Sequence, residues 1–473
     1  MVQPHAPGAA PLTRMTDGTI KQVSPFTGTE VWTVPGRAHR PIGQSAAEPT
    51  ALDPAQHGRH CAFCHLRYDE TPPEKARLVR HDAPTPSDDD ERPDDDAVRP
   101  VPAAPAPGPD DSWQLLRGLP AARMFDTVAE FRRIPNLFEI LSFDYWHQNY
   151  GYEVPAAVAE RRDAYLATPD GEAHVARVVD QRLRASGDAT STWESMGEAD
   201  RLAHATGFFG GGHDVIVARR HFTDDATTDV DLASSGTLTP QEHHRYTSFT
   251  VDAMRSLYEA NRYARYVAVF QNWLKPAGAS FDHLHKQLVA IDERGVQAEL
   301  ELQRLRANPN LFNESAVNYA QYQNLVVAEN DHAVAFAGFG HRYPTLEIYS
   351  RSERTAPWEH SADELRAVSD LVHACHAATG TLVPCNEEWH HQPADVDQPM
   401  PWRIMLKWRV STLAGFEGGT KIYLNTIDPW TLRDRVVDRL YALRDSGAVA
   451  ADMRIATEAE CWPNPLRYHP LVR

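Results

Sequence analysis

The 473-residue chain, with a hydrophobic content of 42% and a charged content of 24%, has the composition of a globular protein large enough for two or three domains. A formal net charge of −18 argues against a general nucleic-acid binder, which needs a basic face, but leaves a small phosphorylated substrate open. No run approaches the roughly 18 apolar residues of a membrane span, and the N-terminus lacks the apolar core of a secretory signal, so a cytoplasmic protein without membrane contact is expected.

Residues 1–17 read as a flexible tail. The stretch TIKQVSPFTGTEVWTVPGRAHRP then suggests two short strands ending in a basic cluster with Arg37, His39 and Arg40. Cys61 and Cys64 follow as a CxxC. Residues 84–111 are proline-rich and acidic, with almost nothing to bury, and predict a disordered insertion. Beyond Trp113, RRIPNLFEI reads as a loop entering an apolar stretch, and residues 155–187 as helical. The segment HDVIVARRH predicts a strand ending in arginines and His221. A helix should begin with Thr239 as N-cap, Pro240 in its first turn and Glu242 as capping-box partner. A second strand, YVAVFQN, leads through a Pro/Gly turn into GASFDHLHKQLVAID. Placed on a strand, His283, His285 and Gln287 would share one face while Leu284 and Leu288 point away.

The second part of the chain replays this order of elements. NLVVAENDHAVAFAGFG and TLEIYSR predict strands, SADELRAVSDLVHACHAATG a helix stopped by Gly380, WRIMLKWRV and TKIYLN further strands, and Trp430 to Leu443 a closing helix. The similarity lies in element order, which suggests a weak internal duplication. The domain organisation expected is a half spanning residues 18–305 and a second half spanning 306–473.

Five cysteines in a long intracellular chain do not imply a disulfide framework, and Cys375, Cys385 and Cys461 read as packing residues. The CxxC alone can be half of a zinc site, a redox pair or an accident. Zinc needs two more ligands, and 23 histidines leave composition unable to choose. His221, ending one strand, and His283, in another strand of the same sheet, can complete a Cys2His2 set. His285 would then remain about 6–7 Å along the same face. A neutral imidazole oriented by a backbone carbonyl is a competent nucleophile toward phosphorus. Gln287 can donate to a phosphate oxygen without adding charge, and the Gly278-Ala279-Ser280 turn can offer backbone N–H groups and a hydroxyl.

The segment His283-Leu284-His285-Lys286-Gln287 resembles the histidine-triad motif, and GASFDHLHKQ resembles the active-site segment of the galactose-1-phosphate uridylyltransferase-like family, Gly-x-Ser-x-x-His-Pro-His-x-Gln. GRAHRP, CAFC, RIPNLFEI, HDVIVARRH, VFQN and AGFEGGTKIYLN resemble further segments of that family, in family order, across about residues 20–445. The resemblance implies an α+β fold of two histidine-triad-like halves around an antiparallel sheet with packed helices. It implies zinc held by Cys61, Cys64, His221 and His283, and a covalent nucleotidyl intermediate on His285, with Gln287 assisting. Asn136, Phe138, Asn272 and Ser280 would contact the nucleotide and its phosphates, Arg37 and Arg40 phosphate charge, and Phe416 and Glu417 the sugar-phosphate side. The substrates implied are a nucleotide sugar and a sugar phosphate, and the assembly a homodimer.

The expected reaction is hexose-1-phosphate uridylyl transfer, with an ADP-glucose-type phosphorylase using inorganic phosphate as the alternative. The AGFEGGTKIYLN form resembles the phosphorylase branch more closely. A non-catalytic nucleotide-binding module engaging a basic partner through the acidic insertion is the rival of a different class. The pattern also departs from the family. Leu284 stands for the usual proline, Phe281-Asp282 for Asn-Pro, and Leu137 where a charged residue is often found. Met405 and Lys407 replace two histidines that hold a second metal in some members, so that site is expected to be absent and His390 and His391 lose that use.

Overall fold

The computed structural model describes residues 10–37, 48–80, 112–188, 190–411 and 413–472. The acidic stretch 84–111 lies outside the described residues, as do His39 and Arg40. The fold is α+β, with antiparallel sheets and packed helices. Among the described residues, no helix is long and apolar enough to cross a membrane. The chain forms two compact units: Asp53–His221 is one, and Met1–Leu52 with Phe222–Arg473 the other.

In the larger unit the main sheet runs in the strand order Arg454–Ile455, Val326–Glu329, Ala333–Ala337, Thr345–Ser350, Arg403–Trp408, Cys385–His390, Tyr266–Trp273 and His285–Ile291, and every pairing is antiparallel. Helices Pro240–Ala260 and Ala362–Thr379 pack on each other and against this sheet. Both begin at capping boxes, Thr239 with Glu242 and Ser361 with Glu364, which satisfy otherwise orphaned N–H groups in the first turn. The helices cover one face of the sheet, so strand Tyr266–Trp273 alternates strictly, with Val267, Val269, Gln271 and Trp273 buried and Tyr266, Ala268, Phe270 and Asn272 partly open. A smaller sheet in the same unit runs Leu12–Arg14, Ile20–Val23, Glu30–Thr33 and Ile422–Leu424, the last pairing parallel.

That smaller sheet corrects the expectation of a flexible tail through residue 17: Leu12 is buried, and its strand pairs with Ile20–Val23. Its attachment is aromatic as well. Phe26 stacks on Phe312 with ring centroids 5.1 Å apart, and Phe312 in turn meets Tyr349 and Tyr468.

The smaller unit carries the sheet order Trp113–Arg117, Ala76–Arg80, Phe131–Pro135, His213–Ala218, all antiparallel. RRIPNLFEI, residues 132–140, reads as a loop, but its first four residues belong to strand Phe131–Pro135, of which 131–133 pair on both sides, and Pro135 is placed at the strand's last residue, where a missing N–H interrupts least. The stretch 155–187 is two helices, Ala156–Leu166 and Pro169–Ala185, because Thr168 caps a new start and Pro169 takes its first turn. With helix Glu198–Gly210 they close a core of Tyr165, Val175, Val178, Val179, Trp193, Phe208 and Phe209.

Phe312→Ala should cost about 3–5 kcal/mol, the usual range for emptying a buried aromatic site. The exposed Tyr322→Ala should change stability by less than about 0.5 kcal/mol, and urea denaturation of both variants beside the parent checks the contrast.

Candidate functional site

The strand that holds the proposed nucleophile is His285–Ile291, entered from a turn over Lys275–Ala277 and Gly278. Gly278 has φ 91°, a left-handed conformation that glycine adopts without steric cost, and Leu274 is held at φ 65°. His283 precedes the strand, so His283, His285 and Gln287 do not lie on one continuous strand face. The difference arises because pairing begins only at His285. His285 and Gln287, two apart within the strand, keep the shared face.

His283 contributes through its backbone. Its carbonyl oxygen accepts a 2.7 Å hydrogen bond from Nδ1 of His285, and since a carbonyl can only accept, the proton sits on Nδ1 and the lone pair on Nε2. Burial pushes the His285 imidazole down to about 4, and the carbonyl hydrogen bond opposes it. The ring is therefore neutral at neutral pH, the state a nucleophilic imidazole requires.

Sheet register sets out a row of polar groups on the same open face. Phe270 is opposite both Gln287 and Glu388, and Asn386 is opposite both Asn272 and Lys407. Extending the first pairing by two residues brings Asn272 opposite His285. The Asn386 side chain donates from Nδ2 to Oδ1 of Asn272 at 2.6 Å and to the Ala277 carbonyl at 2.8 Å, while its Oδ1 accepts from Nη1 of Arg409 at 2.7 Å. Asn272, Ala277, Asn386 and Arg409 line a pocket of about 430 Å³ with Tyr266, Phe270 and Glu388. Sequence reasoning missed Asn386 and Arg409. Strand Cys385–His390 has two adjacent acids and no apolar alternation to reveal it. Lys407 donates to Glu388 at 2.5 Å. Burial works against ionisation of Glu388, but Lys407 and His390 outweigh it and hold the carboxyl well below the usual range. His391 packs instead, stacked on Tyr266 at 4.4 Å and bonded to the Tyr258 hydroxyl at 2.9 Å.

The opposite face carries a buried ion pair. Lys286 donates to Glu387 at 2.5 Å, both side chains being essentially inaccessible, and Glu387 also accepts from the Trp389 indole at 2.5 Å and pairs with Nε2 of His376 at 2.7 Å. Burial disfavours the Glu387 carboxylate, but Lys286 and His376 hold it ionised, far below the ordinary range.

In the smaller unit, Cys61, Cys64 and His221 converge. The two sulfurs are 3.9 Å apart, and Nδ1 of His221 lies 3.4 Å from Cys61 and 3.7 Å from Cys64. A tetrahedral zinc with Zn–S about 2.3 Å and Zn–N about 2.0–2.1 Å has S···S edges of about 3.8 Å and S···N edges of about 3.6 Å, so the three atoms fit one face of such a tetrahedron. His221 stands beyond the end of strand His213–Ala218, and the CxxC loop is anchored by Phe63 packing on Ile134, Val215 and Val217. Neither cysteine is in a disulfide, and the Cys61 thiol is raised by the neighbouring Cys64 and by burial, a cost that a divalent cation removes. His283, the fourth expected ligand, is buried and belongs to the larger unit.

Asn136 in the smaller unit bonds Nε2 of His213 through Nδ2 at 3.0 Å, and its Oδ1 caps the Phe138 N–H, leaving the Phe138 ring exposed. In the larger unit Ser280 is exposed at the turn. Phe416 is exposed on helix Gly415–Thr420 with its ring 6.3 Å from Trp32, whereas Glu417 is buried and uses Oε2 to cap that helix at the Ala414 N–H. Arg37 ends the short turn Pro35–Arg37.

The family profile described as Domain of unknown function (DUF4921) matches residues 15–468. The Arabidopsis thaliana protein ADP-glucose phosphorylase is 28% identical over 176 residues, which are 35% of this chain and 49% of that protein. The chain thus matches about half the length of this curated relative. The crystal structure of an Arabidopsis thaliana ADP-glucose phosphorylase with bound ADP-glucose is similar with TM-score 0.52 and 17% identity, over 89% of this chain and 98% of that one. A GalT-like protein of Arabidopsis thaliana gives TM-score 0.51 and 17% identity, over 88% and 98%. At such identity the structural likeness speaks for the fold.

Glu387→Gln should destabilise the protein by about 3–5 kcal/mol, because it leaves the Lys286 ammonium buried without its counter-charge. Adding Lys286→Met should recover part of the loss in denaturant titrations. The Glu387 carboxyl is depressed below its unfolded value of about 4.3, so its contribution is complete above that pH and fades as the pH falls below it.

Proposed function

The chain belongs to the DUF4921 family and has the galactose-1-phosphate uridylyltransferase-like, histidine-triad fold, and from that premise we propose that it is a nucleotidyltransferase working through a nucleotidyl-His285 intermediate. The observation that carries the reading is the His285 Nδ1–H bonded to the His283 carbonyl at 2.7 Å, which assigns the lone pair to Nε2 in a ring kept neutral by burial. Nε2 attacks the α-phosphorus of a nucleoside diphosphate sugar. The P–N bond forms, the bond to the bridging oxygen breaks, and sugar 1-phosphate leaves with the electron pair. An acceptor phosphate oxygen then attacks the same phosphorus, and the P–N electrons return to Nε2. Two displacements replace one, and Gln287, Ser280 and the backbone of the Gly278 turn stabilise charge on the transferring group.

The similarity to ADP-glucose phosphorylase over 176 residues favours inorganic phosphate as the acceptor, giving a sugar-nucleotide phosphorylase. The motif resemblance favours the second reading, a hexose-1-phosphate uridylyltransferase with a sugar 1-phosphate acceptor. Asn272, Asn136 and Phe138 serve as nucleotide contacts in either case, Arg37 and Arg40 as phosphate contacts, and Phe416 and Glu417 as sugar-side residues. The metal is zinc, held by Cys61, Cys64 and His221, with His283 as the fourth ligand that the resemblance supplies. With four protein ligands the metal is structural. The working protein is a cytoplasmic homodimer.

Incubation with ADP-glucose or UDP-glucose labelled in the α-phosphate should give an acid-labile protein adduct, absent in His285→Ala, while that variant keeps its fold and its zinc. No adduct from either nucleotide sugar would count against the enzyme and in favour of a binding module. Gln287→Ala should form the adduct about 10²–10³-fold more slowly, the range seen when one oxyanion donor is removed. Cys61→Ser should lower the zinc content measured by elemental analysis, whatever its effect on adduct formation.

A further inference from the structure

Resting on that reading, we infer that Arg409, set by Asn386, holds the phosphate group exchanged at the α-phosphorus. Arg409 follows strand Arg403–Trp408 and lines the same pocket as Asn272. Its Nη1 donates to Asn386 and its guanidinium lies over the Tyr343 ring at 4.8 Å, so its plane is fixed. Its Nε is buried with no hydrogen-bond partner. Among the described residues no carboxylate pairs with Arg409. The other charges of this pocket are matched: Glu388 by Lys407, and Arg294 by Asp395 and Glu299. A fixed, partly desolvated guanidinium without a counter-ion calls for an anion, and its planar fork suits a phosphate.

Position supports the same ligand. Asn386 uses both ends of its amide, accepting from Arg409 and donating to Asn272, so it acts as a positioning residue between them. Oδ1 of Asn272 is occupied by Asn386, and its Nδ2 lies 3.9 Å from where a side chain at Gly278 would begin, beside the turn that precedes the nucleophile. With the register extended to His285, His285, Asn272 and Asn386 fall on successive strands at about 4.8 Å spacing, which puts Asn386 about 10 Å from His285, and the Arg409 guanidinium is bonded to Asn386. That separation leaves room for two phosphoryl groups in sequence, the first at Nε2 and the second at the guanidinium. The second is the departing sugar phosphate in one half-reaction and the incoming phosphate in the other. The ligand is a phosphate dianion, free or as a sugar 1-phosphate.

The test uses the discharge of labelled nucleotidyl-enzyme. Parent and Arg409→Gln are loaded from ADP-glucose or UDP-glucose, freed of excess donor, and discharged with rising inorganic phosphate in one arm and glucose 1-phosphate in the other. The half-saturating concentration of the acceptor that works should rise about tenfold to a hundredfold in Arg409→Gln, the worth of a charge-assisted hydrogen bond, with the limiting rate changed far less. Arg409→Lys should fall between, and it carries the test should the Gln variant fail to fold. An unchanged half-saturating concentration for both acceptors, or a loss confined to the limiting rate or to thermal stability, overturns the inference. Failure of the parent to take label from either donor overturns the nucleotidyl-transfer reading instead.

Discussion

A slip of one residue between strand Tyr266–Trp273 and its neighbours would carry Asn272 from the pocket face to the helix-covered face and bring Gln271 out in its place. The pleat has a period of two, so register decides every polar position of the site together. The register is held on the covered side by burial of Val267, Val269 and Trp273, and by Gln271, whose Oε1 accepts from the Ser235 hydroxyl at 3.0 Å. On the open side Asn386 fastens Asn272 laterally. Asn272, Asn386, His285 and Gln287 are therefore carried by paired strands whose covered face is core.

The covered face also bears a cost. Lys286 follows His285 directly and must point away from the pocket, into the layer between sheet and helices, where an unpaired ammonium is strongly disfavoured. Glu387, on the strand beyond Tyr266–Trp273, answers it across that strand, and His376 of helix Ala362–Thr379 answers Glu387. A buried ion pair is weak evidence for net stability, since a well-packed apolar pair can do as well. Its effect here is on alignment: the strand of His285 is tied by charge to the strand of Asn386 and to the helix layer, and a shift of either would leave a charge without its partner.

Much of this was legible in the sequence where the physical signal is local. The Thr239 and Ser361 capping boxes, the apolar run of residues 215–218 and the alternation in YVAVFQN each state their structure within a few residues. The CxxC and His221, 157 residues beyond Cys64, were associated through spacing and strand ends, and they do converge. What was not legible depends on partners distant in sequence. Strand Phe131–Pro135 contains two arginines and a proline and is a strand because Ala76–Arg80 and His213–Ala218 pair with it. Cys385–His390 tolerates adjacent acids because Lys286 and Lys407 meet them from opposite faces. Arg409 carried no motif, and its place in the pocket follows from Asn386, itself on a strand the pattern did not disclose.

At the start of strand His285–Ile291, Leu284 stands where the motif it resembles has a proline. A proline between the two histidines would fix φ near −65° and remove an N–H, restricting the chain before pairing begins. Leu284 gives up that restriction, and its side chain is only 1% exposed. Full burial of a leucine is worth about 1.5–3 kcal/mol, comparable to the backbone entropy of fixing one or two residues. Leu284 thus restrains by packing what proline restrains by its ring, and the 2.7 Å bond from His285 to the His283 carbonyl is formed across it. The two solutions differ in what they depend on. Proline acts through its own covalent geometry, whereas Leu284 works only while the core around it is intact, which couples the orientation of the imidazole to the packing of the unit that contains it.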